Sequence, residues 1–175
     1  HFTTLEIGGR LLSMSAPFHV MYRTHKNAAF EAMLKAARTR HFRKAIPRGN
    51  LRGMLKSLGE NIPVWYAPDQ DYGREQSIFV PFFGIDTASI TGTSRLARIS
   101  KAAVVPFFQT RLPGAQGYQL TLYPALDDFP GDSIETDTRR INKLVETRVR
   151  EHPEQYLWAH RRFKTRPEGE PGFYD

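Results

Sequence analysis

The first six residues, HFTTLE, place an acid five positions after a histidine, and His1 is the only one of the six histidines with this spacing. A carboxylate that holds one nitrogen of an imidazole leaves the other nitrogen able to take a proton from a hydroxyl. Within one helix, five steps would set His1 and Glu6 about 140° apart, so His1 is expected just ahead of a helix that starts at Thr3. The alternative is that Glu6 only completes a Thr-x-x-Glu capping box.

A second candidate is the pair Asp69 and Asp71 in YAPDQDYG, directly after a predicted strand. Loops that follow strands commonly carry the sites of α/β proteins. An Asp-x-Asp pair suits a divalent metal that carries the phosphates of a nucleotide sugar, as in a metal-dependent glycosyltransferase. An Asx-type turn with solvated carboxylates explains the same residues equally well.

The third feature is a basic run, ARTRHFRKAIPR, from residue 37 to residue 48. Residues 1–60 hold eleven Lys and Arg against three acids, a net charge of +8, whereas the remaining 115 residues carry −1. Such a concentration indicates an anionic partner, and guanidinium groups match phosphate oxygens. A nucleic-acid-binding module remains an alternative, although Phe42 is the only aromatic residue in the run. A solvated basic face is the other reading.

Helix and strand patterns alternate along the chain and predict an α/β fold. The predicted helices run from Thr3 to about Met14, from Asn27 to about Thr39, from Asn50 to Gly59, from Thr91 to Ser100, and onward from Asp132 or Ser133. The second of these helices should bury an apolar stripe made of Ala28, Ala29, Met33, Leu34 and Ala37. In TGTSRLAR, the start of the fourth helix offers Thr93 and backbone N–H groups to an anion, although capping explains these residues too.

The predicted strands cover residues 17–23, 62–67, 77–83 and 103–109, the last as a buried strand, and a return strand follows the turn LPGAQG. The length of 175 residues suits one domain. The sequence contains no cysteine, which excludes disulfides, thiolate nucleophiles and Cys-based zinc sites. No apolar run approaches the roughly 18 to 20 residues that cross a bilayer.

Taken in order, HFTTLEIGGRLL, VMYRTHKN, NLRGMLKSLGENIPVWYAPDQDYG, SIFVPFFGI, TGTSRLAR and PEQYLWAHRRFKTRPEG resemble the lipid A secondary acyltransferases of Gram-negative bacteria. The resemblance covers nearly the whole chain and implies an α/β fold with a mixed β-sheet flanked by helices, like that of glycerolphosphate acyltransferases. Because that family begins earlier, with a membrane helix and a first α/β segment, residues 1–175 are expected to be one acyltransferase domain that lacks those parts and has little activity alone.

The resemblance also implies roles for particular residues. His1 would be the general base and Glu6 its acidic partner. Residues that match the substrate-binding blocks of the family are Tyr22, Arg23, Asn27, Arg38, Arg40, Asp69, Asp71, Gly73 and Thr93. The relatives carry a second proline after the block at Val105 and Pro106, where this chain has Phe108 or Gln109.

The implied reaction moves a fatty acyl chain from acyl carrier protein to a hydroxyl of a lipid A precursor, a phosphorylated glycolipid. The resemblance implies no cofactor other than acyl carrier protein as co-substrate, no metal and no nucleic acid. It places the protein at the cytoplasmic face of the bacterial inner membrane, in lipopolysaccharide biosynthesis.

Overall fold

The computed structural model describes residues 1–174, which form two compact units. The first unit consists of His1–Leu5 and the chain from Ala67 onward, and the second consists of Glu6–Tyr66. The single-domain organisation stays a prediction. Within the described residues, no helix is long and apolar enough to cross a membrane.

The unit formed by Glu6–Tyr66 contains a three-stranded parallel sheet in the order β2–β1–β3. Its strands are β1 (His19–Tyr22), β2 (Lys44–Pro47) and β3 (Val64–Trp65). The helices are α1 (Leu5–Ser15, whose first residue belongs to the other unit), α2 (Ala28–Thr39) and α3 (Leu51–Gly59). Side-chain caps begin two of them: Asn27 accepts a hydrogen bond from Phe30 N at 3.0 Å, and Asn50 accepts one from Gly53 N at 2.9 Å.

The described residues of the other unit form two antiparallel hairpins and two helices. They are the pair β4 (Ser77–Phe82) and β5 (Ile85–Ile90), helix α4 (Gly92–Ser100), the pair β6 (Phe107–Arg111) and β7 (Tyr118–Leu122), and helix α5 (Ile134–Glu151). Two short 3₁₀ turns, Pro153–Gln155 and Trp158–His160, follow α5. Phe2, Phe82 and Val149 lie in its apolar core, with Tyr156 and Phe163.

The α/β class is confirmed, but the described residues form three small sheets rather than one mixed sheet. The buried strand predicted for residues 103–109 is confirmed only in part: β6 runs from Phe107 to Arg111, and Val105, which was expected to be buried, is 47% exposed. Strand β5 was not predicted; its residues Thr87 and Ser89 are polar yet buried, which hides the usual apolar signal.

The prediction that the apolar stripe of α2 is buried is wrong. Every residue of this helix is at least partly exposed, including Met33 at 56% and Phe30 at 41%. Leu34 is the only member of the predicted stripe that is half-buried. The inward positions are instead shared with Glu31 and Arg38, because these residues contact polar groups of the same unit.

Candidate active site

His1 is anchored through its main chain to the segment that follows α5. Its carbonyl accepts a hydrogen bond from Leu157 N at 2.9 Å, and Thr3 N donates to Gln155 O at 2.8 Å. Between these bonds the ring of Phe2 packs edge-on against Tyr156, with 5.6 Å between the ring centroids. Burial of Phe2 at 7% exposure therefore fixes the position of the neighbouring histidine.

The imidazole of His1 is held by a buried carboxylate. Nδ1 lies 2.6 Å from Oδ1 of Asp69, and the α-amino nitrogen of His1 contacts the other oxygen, Oδ2. Asp69 is only 5% exposed. Burial, together with repulsion from His160, lowers the pKa of His1 from 6.5 to about 4. The ring is therefore neutral at pH 7, with Nδ1–H donating to Asp69 and Nε2 as the nitrogen that can accept a proton.

Asp71 has a different environment, in which protein donors occupy both of its oxygens. Oδ1 accepts hydrogen bonds from Gly73 N and from the hydroxyl of Thr165, both at 2.9 Å, and Oδ2 accepts one from Thr165 N at 2.9 Å. The backbone N–H of Asp71 donates to Nε2 of His160, also at 2.9 Å. The hydrogen bond of an Asx-type turn is thus present at Gly73, where φ is +80°, but the carboxylate is buried rather than solvated.

A second polar cluster lies within the unit Glu6–Tyr66. Tyr22 Oη donates to Oε1 of Glu31 at 2.6 Å, and the guanidinium of Arg38 lies over the Tyr22 ring, 5.4 Å from its centroid. Arg38 Nη2 also donates to Oε1 of Glu6 at 2.6 Å. The hydrogen bond to Glu31 is the main reason that the pKa of Tyr22 is raised. Glu6 is 64% exposed, so its ion pair contributes little to stability and can be exchanged for a ligand.

The remaining predicted site residues lie in varied surroundings. Arg23 and Arg40 are exposed, and their role in binding an anion stays a prediction. Asn27 uses its side-chain oxygen to cap α2. Thr93 is buried in α4, and among the described residues its hydroxyl has no hydrogen-bond partner.

The Asp-x-Asp loop does not form a metal cluster in the described part of the chain. No group of three or more His, Asp or Glu side chains in residues 1–174 is arranged to hold an ion. The donors around Asp71 would have to be displaced before its oxygens could bind a cation. This arrangement does not favour the glycosyltransferase alternative.

The segments that meet around His1 are the opening hexapeptide, the YAPDQDYG loop and the EQYLWAHRRFKTR segment, and this order is typical of one protein family. Residues 1–165 match the family described as bacterial lipid A biosynthesis acyltransferase. The chain belongs to this family. The earlier resemblance is thereby confirmed.

Several members of the lipid A acyltransferase family are similar along the whole chain. The lipid A biosynthesis lauroyltransferase of Escherichia coli K12 is 45% identical over 175 residues, which cover 99% of this chain and 57% of that protein. The palmitoleoyltransferase of the same organism is 41% identical with the same coverage, and its myristoyltransferase is 30% identical over 97% of this chain and 53% of that protein. The chain thus spans a little over half the length of these relatives.

Three residues of these clusters were not predicted from the sequence. Glu31 was indistinguishable from an ordinary acid in the first turn of a helix. His160 and Thr165 lie in the EQYLWAHRRFKTR segment, whose only signal in the sequence is its resemblance to the lipid A acyltransferase family.

Arg162 of the same segment is 1% exposed and donates to Ala88 O at 2.6 Å and to Ser89 Oγ at 2.8 Å. The burial of Arg162 cannot be seen in the sequence, and the signal available there was the resemblance of this segment to the lipid A acyltransferase family.

Proposed function

We propose that this chain carries the catalytic centre of an enzyme that transfers a fatty acyl chain from acyl carrier protein to a hydroxyl of a lipid A precursor, at the cytoplasmic face of the bacterial inner membrane. The observation that supports the proposal most directly is His1, a half-buried and neutral imidazole whose Nδ1 is bonded to a buried carboxylate. Membership of the lipid A acyltransferase family supports the choice of reaction.

In this mechanism Nε2 of His1 takes the proton of the acceptor hydroxyl while its oxygen attacks the thioester carbonyl. The tetrahedral intermediate then expels the thiolate of the carrier protein, which receives the proton from the imidazolium. Asp69 keeps the proton of the resting imidazole on Nδ1 and stabilises the positive charge that develops on the ring. No covalent acyl-enzyme is required.

Arg38 is proposed to bind a phosphate of the acceptor, with Glu6 holding its guanidinium in position until the acceptor arrives. Arginine forms two parallel hydrogen bonds with phosphate, and Arg38 is already oriented by Glu6 and by the ring of Tyr22. The alternative role for Glu6, as the acidic partner of the histidine in the His-x4-Glu pattern, makes a different kinetic prediction.

The test is steady-state kinetics of the full-length protein with acyl carrier protein and a phosphorylated lipid A precursor. His1→Ala should lower kcat by about 10²- to 10⁴-fold with little change in the KM for the acceptor. Asp69→Asn should also lower kcat, because the amide cannot stabilise the imidazolium. His152→Ala, at a histidine whose side chain is 43% exposed, is the matched control. Normal turnover by His1→Ala would refute the mechanism.

Glu6→Gln distinguishes the two roles of this acid. If Glu6 orients Arg38, the substitution should raise the acceptor KM as Arg38→Ala does, and the increase should shrink for an acceptor that lacks one phosphate. If Glu6 is the partner of His1, kcat should fall instead. Glu60→Gln, at an exposed acid with a helical Lys56 pair, controls for loss of charge.

A further inference from the structure

Helix α2 is oriented with its apolar residues toward solvent. At about 100° per residue, Ala29, Met33 and Ala36 fall within roughly 60° of one another on one side of the helix. The opposite side carries Glu31, Leu34 and Arg38, the three residues of α2 that are half-buried. An ordinary surface helix has the reverse arrangement, with apolar residues inward and charged residues outward.

The outer face of α2 is defined by Ala29, Ala32, Met33, Ala36 and Ala37, all of which are exposed. Phe30 lies at the edge of this face near the start of the helix, packed against the ring of His25 at 4.6 Å and still 41% exposed. Exposed alanines alone would be unremarkable on a helix. An exposed face that contains Met33 at 56% exposure, has Phe30 at its edge and carries no charged residue indicates an interaction surface.

The surroundings of the outer face are positively charged. Exposed cations flank it at the start, side and end of α2, namely Lys26, Lys35, Arg40 and Arg43. The acid of the helix, Glu31, is turned inward and already bonded to Tyr22 Oη and to His25 N. The unit Glu6–Tyr66 contains eleven Lys and Arg and three Glu, a net charge of +8. The partner should therefore combine an apolar layer with negative charge.

We propose that the outer face of α2 docks onto an anionic lipid bilayer, with Met33 and Phe30 at the boundary between headgroups and acyl chains and with Lys26 and Lys35 on lipid phosphates. A helix with an apolar face and a basic rim lies in the plane of such an interface. The inference rests on the inner-membrane location proposed above and names the surface responsible. Docking through the outer face leaves the ion pair of Arg38 and Glu6, on the other side of the helix, available to a lipid acceptor.

The experiment is co-sedimentation of the chain of residues 1–175, in whose described part no helix can cross a bilayer, with vesicles of phosphatidylethanolamine and phosphatidylglycerol, compared with vesicles of phosphatidylcholine. The native protein should bind the anionic vesicles. The double substitution Phe30→Ser with Met33→Ser should weaken that binding at least about tenfold, whereas Ile99→Ser, at an equally exposed apolar residue of α4, should not. Each of Lys26→Gln and Lys35→Gln should weaken it about fivefold, and Lys143→Gln is the matched control.

Because serine has a lower helix propensity than methionine, circular dichroism should first show unchanged helix content. A second measurement uses Met33→Trp. Quenching of that indole by brominated acyl chains is expected, with no quenching for Ile99→Trp. Equal vesicle binding by native protein and the Phe30/Met33 variant would overturn the proposal. So would a change in sedimentation from dimer to monomer in that variant with vesicle binding unaltered, which would make the face an interface between copies.

The outcomes also separate this proposal from the catalytic one. His1→Ala should bind vesicles like the native protein, because His1 is not part of the outer face. Loss of vesicle binding by the Phe30/Met33 variant, with transfer to a detergent-dispersed acceptor retained when the full-length protein carries the same substitutions, would support the docking surface and the catalytic centre independently. Vesicle binding without any acyl transfer would refute the proposed function and leave the docking surface standing.

Discussion

Asp71 offers the sharpest test of how the YAPDQDYG loop is held. Its carboxylate is 4% exposed and accepts three hydrogen bonds, from Gly73 N, Thr165 N and the Thr165 hydroxyl. These bonds join the loop to a segment 94 residues further along the chain. The change Asp71→Asn keeps the shape of the side chain and one accepting oxygen. It replaces the other oxygen with an NH₂ group, so that two donors, this NH₂ and the backbone N–H of Thr165, face each other.

The expected loss of stability follows from these contacts. A hydrogen bond to a charged group contributes about 1.5 to 3 kcal/mol, and a buried donor left without a partner costs about 1 to 3 kcal/mol. The two effects overlap because they concern the same N–H of Thr165. We expect Asp71→Asn to lower the free energy of unfolding by about 2 to 4 kcal/mol.

Urea denaturation followed by tryptophan fluorescence measures this loss, and hydrogen exchange should show weaker protection in the segment around Thr165. Asp86→Asn, at an exposed carboxylate of the same unit, should change stability by less than about 0.5 kcal/mol. Thr165→Val, combined with Asp71→Asn in a double-mutant cycle, should show that the two losses are not additive. An Asp71→Asn protein with native stability but impaired acceptor binding would refute this reasoning and make Asp71 a ligand-binding residue.

Three further predictions concern packing, pH and metal. Gly9→Ala should destabilise the protein by about 1 to 3 kcal/mol, because a Cβ there would lie 2.5 Å from the Trp65 ring. Gly59→Ala, where nothing lies within 4 Å, should be neutral or stabilising, and thermal melts compare the two. Burial lowers the pKa of His1 from 6.5 to about 4, so the acid limb of the pH profile of kcat/KM should lie well below pH 6.5. The unfolded chain binds a proton at His1 more readily than the folded chain, so stability should fall as the pH drops from about 6.5 toward 4. Acyl transfer should survive EDTA; loss that magnesium or manganese restores would favour the glycosyltransferase alternative.

Local features of the fold were predictable because a few neighbouring residues determine them. Asn27, Asn50 and Ser133 each cap the helix that follows, and the helix ending at Gly59 has the predicted bounds. The capping box expected at the start of the chain was less reliable: α1 begins at Leu5, and Thr3 N donates to Gln155 O. A tertiary contact to a residue about 150 positions away replaced a local one, and no local pattern indicates it.

The candidate site shows the same division between what lies near along the chain and what lies near in space. The sequence pattern pointed to His1 as a candidate catalytic residue. It paired His1 with the acid five positions on because spacing along the chain is all that a pattern measures. In the structure, Nδ1 of His1 is hydrogen-bonded to Asp69, 68 residues away, and the carboxylate of Glu6 accepts a hydrogen bond from Arg38, 32 residues away. Both partners were themselves candidate residues, assigned to substrate binding. The candidate residues were therefore identifiable from the sequence, whereas their pairing depends on how distant segments pack. The pairing decides which carboxylate can stabilise an imidazolium and which can orient an arginine for a phosphate.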